Sequence, residues 1–258
     1  MKKRLLFVSL CLAVFAASMA IAQSPEEAPA AAGPSFQPIE IFACSFNEGQ
    51  TMADLKAVTA GWNAWMDENG RNEYWASLLL PMFHSAEIDF DIGWVGGWET
   101  GAAMGESLEF WVNNGGEHAA AFDRVVDCNI HLNFAVYTVQ PNPNPFAPGP
   151  VEFSDCKLEE GKEMSAAISA VHQWVAHEGD GRGHYLLFPA YGEASDSEYA
   201  FKWVSVSDYS TLGTLWDDFG TGGGWQKYEE LFGGLLDCDS PRIYHGMSVR
   251  KVALPTAE

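Results

Sequence analysis

The chain is written twice. Cys44-Ser-Phe-Asn-Glu48-Gly49-x-x-Met52 is matched by Cys156-Lys-Leu-Glu-Glu160-Gly161-x-x-Met164. Trp62 then matches Trp174, Gly70-Arg71-x-x-Tyr74 matches Gly181-Arg182-x-x-Tyr185, and Trp94-Val95 matches Trp203-Val204. Trp111 falls near the counterpart Trp216, and Phe122, Asp127 and Cys128 match Phe232, Asp237 and Cys238. The order is kept and the gaps are small, so the chain holds two homologous halves. Each is a unit of about 100 residues, the size of a small domain.

Each half carries the same succession of patterns. Ile39, Ile41 and Ala43 alternate with Glu40, Phe42 and Cys44, which predicts a strand. Met52, Leu55, Val58, Trp62 and Trp65 recur at helical spacing, as do Met164, Ile168, Val171 and Trp174 in the second half. Tyr74 to Phe83 is a continuous apolar run, expected as a buried strand. Phe90, Ile92, Trp94 and Trp98 give the third strand. A helical region follows from about Ala102 to Val126, broken at Asn114-Gly115-Gly116. Leu132, Phe134, Val136 and Thr138 close the half as a strand. The order β-α-β-β-α-β is the split βαβ arrangement of a ferredoxin-like unit.

This topology decides among the cysteine pairings. Four cysteines beyond the first segment allow three connectivities. In a ferredoxin-like unit the first and last strands are antiparallel neighbours. Cys44 ends the first strand and Cys128 precedes the last, so both lie at one end of adjacent strands. The pairs Cys44–Cys128 and Cys156–Cys238 are therefore expected, each closing a loop worth roughly 4–5 kcal/mol by chain entropy. No C-x-x-C spacing suggests metal or redox cysteines.

Composition limits the partners. The 258 residues hold 14 Lys+Arg against 35 Asp+Glu, a net charge of −21. A chain so acidic lacks the basic face that nucleic acid or anionic lipid requires. Lys2, Lys3 and Arg4, an apolar run from Leu5 to Ala17, and Ala20-Ile21-Ala22 make residues 1–22 a signal peptide. Its removal takes away three basic residues and leaves a charge of −24. The reading is an exported protein, periplasmic or secreted, with no membrane contact once the signal is cut. Residues 23–37 are a Pro- and Ala-rich disordered leader, and 141–150 (PNPNPFAPGP) a stiff linker. The repeats occupy 38–140 and 151–253, and 254–258 is a tail.

With this repeated topology the chain resembles the dimeric α/β-barrel superfamily, over about residues 38 to 252. That group includes antibiotic-biosynthesis-type monooxygenases, EthD-like and NIPSNAP-like proteins, and haem-binding relatives of chlorite dismutase. The resemblance implies an α+β fold: two tandem βαββαβ ferredoxin-like repeats packed sheet to sheet as a fused dimeric α/β barrel. No motif specific to a member family occurs, so no catalytic residues carry over.

The sequence holds no G-x-S-x-G elbow, H-E-x-x-H pair or phosphate loop. The glycine run from Gly220 to Gly224 reads as a turn. Most matched residues read as framework. Trp62 and Trp174 suit a core, and Glu48 and Glu160 suit helix starts. Unmatched residues are the better site candidates, because one half of a fused pair can keep a site that the other loses. His131, Asn133 and Tyr137 share one face of the last strand, opposite Leu132, Phe134 and Val136. Placing the apolar set against the helices turns the polar set toward the space between the repeats. There Trp94, Trp98, Asn133 and Tyr137 would line a pocket for a small apolar or aromatic molecule, with His131 or His84 as proton acceptor. His184, Tyr185, Tyr191, Tyr244 and His245 make a weaker version in the second half. No metal site is expected. Glu87, Asp89 and Asp91, and likewise Glu193, Asp196 and Glu198, raise calcium only as an outside reading, and a solvated edge suits them better. Haem would use His131 or His84 but lacks a marked propionate site. Three functions follow: a ligand-binding protein, a cofactor-independent monooxygenase-like enzyme, and a non-catalytic interaction module.

Overall fold

The computed structural model describes residues 35–252. The signal segment, residues 23–34 of the leader and the tail lie outside the described residues. The first half runs β1 (Phe36–Phe46), α1 (Met52–Glu68), β2 (Tyr74–Phe83), β3 (Ile92–Trp98), α2 (Gly101–Asn114), α3 (Gly116–Asp123) and β4 (Val126–Gln140). The second runs β5 (Gly149–Leu158), α4 (Met164–Glu178), β6 (Gly183–Tyr191), β7 (Phe201–Val206), α5 (Tyr209–Asp217), a π-helical turn (Asp218–Gly222), α6 (Gly224–Phe232), β8 (Leu236–Cys238) and β9 (Arg242–Arg250). β1 takes in Phe36 and Gln37, which the composition had placed in the leader, because they pair with Tyr137 and Val136 of β4. β5 likewise takes in Gly149 and Pro150, at the end of the expected linker.

Within the first half the strand order is β4-β1-β3-β2; in the second it is β9-β5-β7-β6. Both are the ferredoxin-like order. The two sheets also join at their edges. β4 pairs with β6 from Asn133 opposite Tyr191 to Gln140 opposite His184, and β2 pairs with β9 from Ala76 opposite Arg250 to Phe83 opposite Ile243. Eight antiparallel strands thus close into a barrel, and closure leaves these strands no free edge to attract another chain. The disulfides are Cys44–Cys128 and Cys156–Cys238, with sequence separations of 84 and 82. The paired cysteines stand opposite one another on β1–β4 and β5–β8.

Alternation along the strands separates two buried faces. Ile39, Leu79, Val95, Phe134 and Val136 meet Phe153, Leu187, Val204 and Tyr244 in a single apolar cluster that fills the barrel. The opposite faces meet helices. α1 buries Leu55, Thr59, Trp62 and Met66, at steps of four, three and four that form one stripe. α4 buries Ala167, Ala170, Val171, Trp174 and Val175 in the same manner.

This arrangement corrects the expected direction of β4. Leu132, Phe134 and Val136 belong to the barrel interior, not to the helix layer. The physical reason is that a closed barrel buries both faces of its sheet. Its interior admits almost no polar side chain, so the apolar set goes inward. The polar set takes the face where helices leave room.

The register of the duplication is also corrected. Leu78 lies opposite Trp94, and Leu186 lies opposite the matching Trp203. Counting back from these pairs sets Tyr74 at the position of Arg182, not Tyr185. Tyr74 packs toward the helices with Trp62 and Trp98, whereas Tyr185 packs on the barrel interior. The positive-φ glycine after α1 is Gly70 and after α4 it is Gly179, so Gly181 is not the counterpart of Gly70.

Candidate functional site

Between the outer face of the first-half sheet and helices α1, α2 and α3 lies a cavity of about 600 Å³. Aromatic rings dominate its wall. Trp62 sits 5.5 Å from Trp94, edge to face, and Phe122 stands 5.7 Å from Trp94 in the same geometry. Tyr74 lies 4.8 Å from Trp98. Phe110 and Trp111 of α2 and the Cys44–Cys128 disulfide complete much of the rest.

One polar chain crosses this apolar wall. Trp94 Nε1 donates to Tyr74 Oη at 2.8 Å, and Tyr74 Oη donates to Glu40 Oε1 at 2.6 Å. Glu40 Oε2 lies 2.9 Å from His131 Nε2. A carboxylate only accepts, so Nε2 carries a proton and Nδ1 is the ring nitrogen turned away from Glu40. Nδ1 has no partner among the described residues. The His131 ring is held flat on Phe42, with centroids 3.7 Å apart and planes 14° apart. The chain runs from buried to open: the Glu40 side chain is 11% exposed and that of His131 is 53% exposed. Burial, reinforced by the charge of Glu40, pushes the Tyr74 phenol well above its usual range, so it stays a donor. Trp98 lines the cavity, is 3% exposed, and its Nε1–H has no acceptor among the described residues.

The fold makes room for this chain at Gly96. A Cβ there would stand 1.7 Å from Tyr74 Oη. Glycine is thus required on β3 for the phenol to reach Glu40.

Of the residues expected from sequence, the structure brings Trp94, Trp98 and His131 to the cavity. It does not bring the others. Asn133 donates to Ile39 O at 2.9 Å and approaches Met104 Sδ at 3.7 Å. Tyr137 lies on the helix side of the second half, 3.0 Å from His172 Nε2. His84 is exposed, and its hydrogen bond among the described residues is with Ser85 O at 3.0 Å. The cavity therefore lies within the first repeat, between sheet and helices, and not between the two repeats. The weaker cluster of the second half is dispersed: Tyr191 is exposed, Tyr185 and Tyr244 face the barrel interior, and His245 bonds Tyr209 Oη at 2.7 Å.

Glu40, Tyr74 and Phe42 were missed, yet a signal for Glu40 existed. A glutamate stands four residues before the first cysteine of each repeat, Glu40 before Cys44 and Glu152 before Cys156. Glu152 is ion-paired with Arg182, which also reaches Glu178 Oε1 at 3.1 Å. His184 lies fully buried beside them, its Nε2 2.6 Å from Glu178 Oε2. Over them, the outer face of the second-half sheet is filled by Trp174, Trp203, Phe201 and Phe232 in one cluster.

Haem requires an axial ligand and cations for its two propionates. His131 offers a ring nitrogen, but the lining residues include Glu40, Asp123 and Asp127 and no lysine or arginine. The residues present do not fit that group. Of the acidic turns weighed for calcium, Asp91 accepts from Phe46 N at 2.8 Å and Glu193 accepts from Tyr199 Oη. Among the described residues no group of three or more His, Cys, Asp or Glu is placed to hold a metal ion. No helix among them is long and apolar enough to cross a membrane.

No family model matches the sequence, and no curated protein matches it. Solved structures do share the fold. A provisionally assigned monooxygenase from Fusobacterium nucleatum superposes with a TM-score of 0.55 at 7% identity, covering 84% of this chain and 94% of that one. A second provisionally assigned monooxygenase, from Lactobacillus acidophilus, gives 0.50 at 9% identity over 83% and 95%. A variant of chlorite dismutase from Candidatus Nitrospira defluvii gives 0.50 at 8% over 83% and 92%. At these identities the likeness is one of fold: tandem ferredoxin-like units closed as a dimeric α/β barrel.

Proposed function

We propose that this is an exported protein that binds a small, flat, mostly apolar molecule in the cavity of its first repeat. The observation that carries the reading is the aromatic cavity of about 600 Å³ crossed by a single polar chain ending at His131. That size and anatomy are those of small-molecule sites, in which a few polar groups orient an otherwise apolar ligand. Trp98 Nε1–H would pair with an acceptor on the ligand, since an unpartnered buried donor costs free energy until it is met. The barrel interior, by contrast, is filled. The two disulfides suit an oxidising compartment, in keeping with the signal segment.

Titration of the full chain with 2-naphthylmethanol, followed by tryptophan fluorescence, tests this reading. Saturable quenching is expected for the wild type. Ala119→Trp, which fills the cavity from α3, should keep the melting temperature and lose the quenching. A wild type that shows no saturation, or a variant that still binds, overturns it.

The contact between Glu40 and His131 favours a second reading, that of an enzyme. Glu40 orients the ring and leaves Nδ1 free to take a proton from a bound ligand, as a general base must. Turnover of a ligand found in the first test, lost in His131→Gln while binding persists, would select this reading. An interaction module without a pocket has least support, because the cavity is present.

A further inference from the structure

We infer that the cavity selects organic cations, such as an aromatic or other lipophilic amine, over neutral and anionic molecules of the same shape. This rests on the ligand-binding reading above and adds the sign of the ligand's charge.

The inference comes from comparing the two halves. Glu40 and Glu152 occupy the same position of β1 and β5, four residues before the disulfide cysteine. In the second half that carboxylate is ion-paired inside the fold with Arg182, which it shares with Glu178. In the first half the equivalent position holds Tyr74, which hydrogen-bonds Glu40 but brings no charge. Tyr74 is held in its neutral form by burial. Glu40 thus meets no lysine or arginine beside the open space; its second oxygen faces only the His131 imidazole, at 2.9 Å.

The rest of the wall points the same way. Asp123 and Asp127 also line the cavity, and none of the lining residues is lysine or arginine. Two guanidiniums stack on lining rings, Arg71 on Phe110 and Arg250 on Trp62. Both are already paired, Arg71 with Glu73 at 3.0 Å and Arg250 with Asp67 at 3.0 Å. What remains is a set of aromatic faces with three carboxylates and the imidazole of His131 among them. Ring faces carry negative potential and attract cations, and an adjacent carboxylate adds to that attraction in a site partly removed from water. The charge of −21 over the chain draws cations to the surface from further away.

Three naphthalene probes of similar size test this by calorimetry on the full chain: 2-naphthylmethylammonium, 2-naphthylmethanol and 2-naphthoate. The ammonium should bind about tenfold tighter than the alcohol, and the carboxylate more weakly than either. The alcohol should displace the ammonium competitively. The order should hold in about 0.5 M salt, where attraction to surface charge is screened. In Glu40→Gln the ammonium should fall to the level of the alcohol, whose own affinity stays within about threefold. Should Glu40→Gln misfold, Asp123→Asn with Asp127→Asn, both at exposed positions, should narrow the preference by about threefold. An alcohol or carboxylate that binds as tightly as the ammonium, or a preference that survives these variants, overturns the inference and leaves the pocket standing. Failure of all three probes to bind removes the pocket reading and the inference together.

Discussion

Tyr74 donates its phenol proton to Glu40 across 2.6 Å and at the same oxygen accepts the indole proton of Trp94 across 2.8 Å. One hydroxyl therefore satisfies a buried carboxylate and a partly buried indole. Tyr74→Phe leaves both of them short of a partner, and we expect a loss of about 1–3 kcal/mol in a urea unfolding curve. The variant should still fold, because the ring itself packs against Trp62 and Trp98. A curve unchanged from wild type would show that the hydroxyl contributes nothing to the framework.

The two disulfides close loops of nearly equal length, so chain entropy makes them nearly equal in stability. Removing either by paired Cys→Ala substitution should cost roughly 2–5 kcal/mol. They differ in place. Cys44 and Cys128 line the cavity, whereas Cys156 is in the apolar cluster of the second half, with Cys238 packed against it. Loss of the first bridge should weaken naphthalene-probe binding at least severalfold, and loss of the second should leave it nearly unchanged. Equal effects on binding would contradict this placement.

Acid should weaken the second half through Glu178. Burial raises the Glu178 carboxyl, but its hydrogen bond with His184 and the charge of Arg182 outweigh burial and hold it below its ordinary value of 4.5. A carboxyl with a depressed folded-state pKa stabilises above its unfolded value, and that contribution is lost as pH falls through the folded value. Melting temperature should thus drop on acidification below about pH 4.5. In Glu178→Gln the melting temperature at pH 7 should be lower and the acid-induced drop shallower. Parallel pH profiles for the two proteins would rule out this carboxylate as a contributor.

Neither half should fold by itself. The barrel interior draws Ile39, Val95 and Phe134 from one half and Phe153, Leu187 and Val204 from the other. A chain ending at Pro141 would expose that face together with the edges of β2 and β4. We expect it to aggregate or to give broad, uncooperative melting by circular dichroism. A sharp transition in the isolated half would show that each repeat is a domain in its own right.

Much of the fold was legible because repeats and alternation are local signals. The pattern of Ile39, Ile41 and Ala43 announces a strand, and the cysteine placement follows once β1 and β4 are neighbours. The direction of β4 was not legible. His131 and Phe134 alternate identically whether the apolar face meets helices or another sheet, and only closure of the barrel decides between them. The polar chain was hidden for a related reason. Glu40 reads as an ordinary strand residue until Tyr74 comes within reach from β2, thirty-four positions along the chain. Matching tyrosine to tyrosine in the repeats then concealed that Tyr74 stands where the other half has Arg182.

That difference between the halves has an evolutionary consequence. In a barrel assembled from two identical chains, one codon would set the partner of the strand glutamate on both sides, and both sides would be open or both neutralised. Covalent joining of the repeats lets each side change alone. One side could close over an internal ion pair while the other stayed hollow, so that a symmetric ancestor with two equal chambers would become a barrel with one.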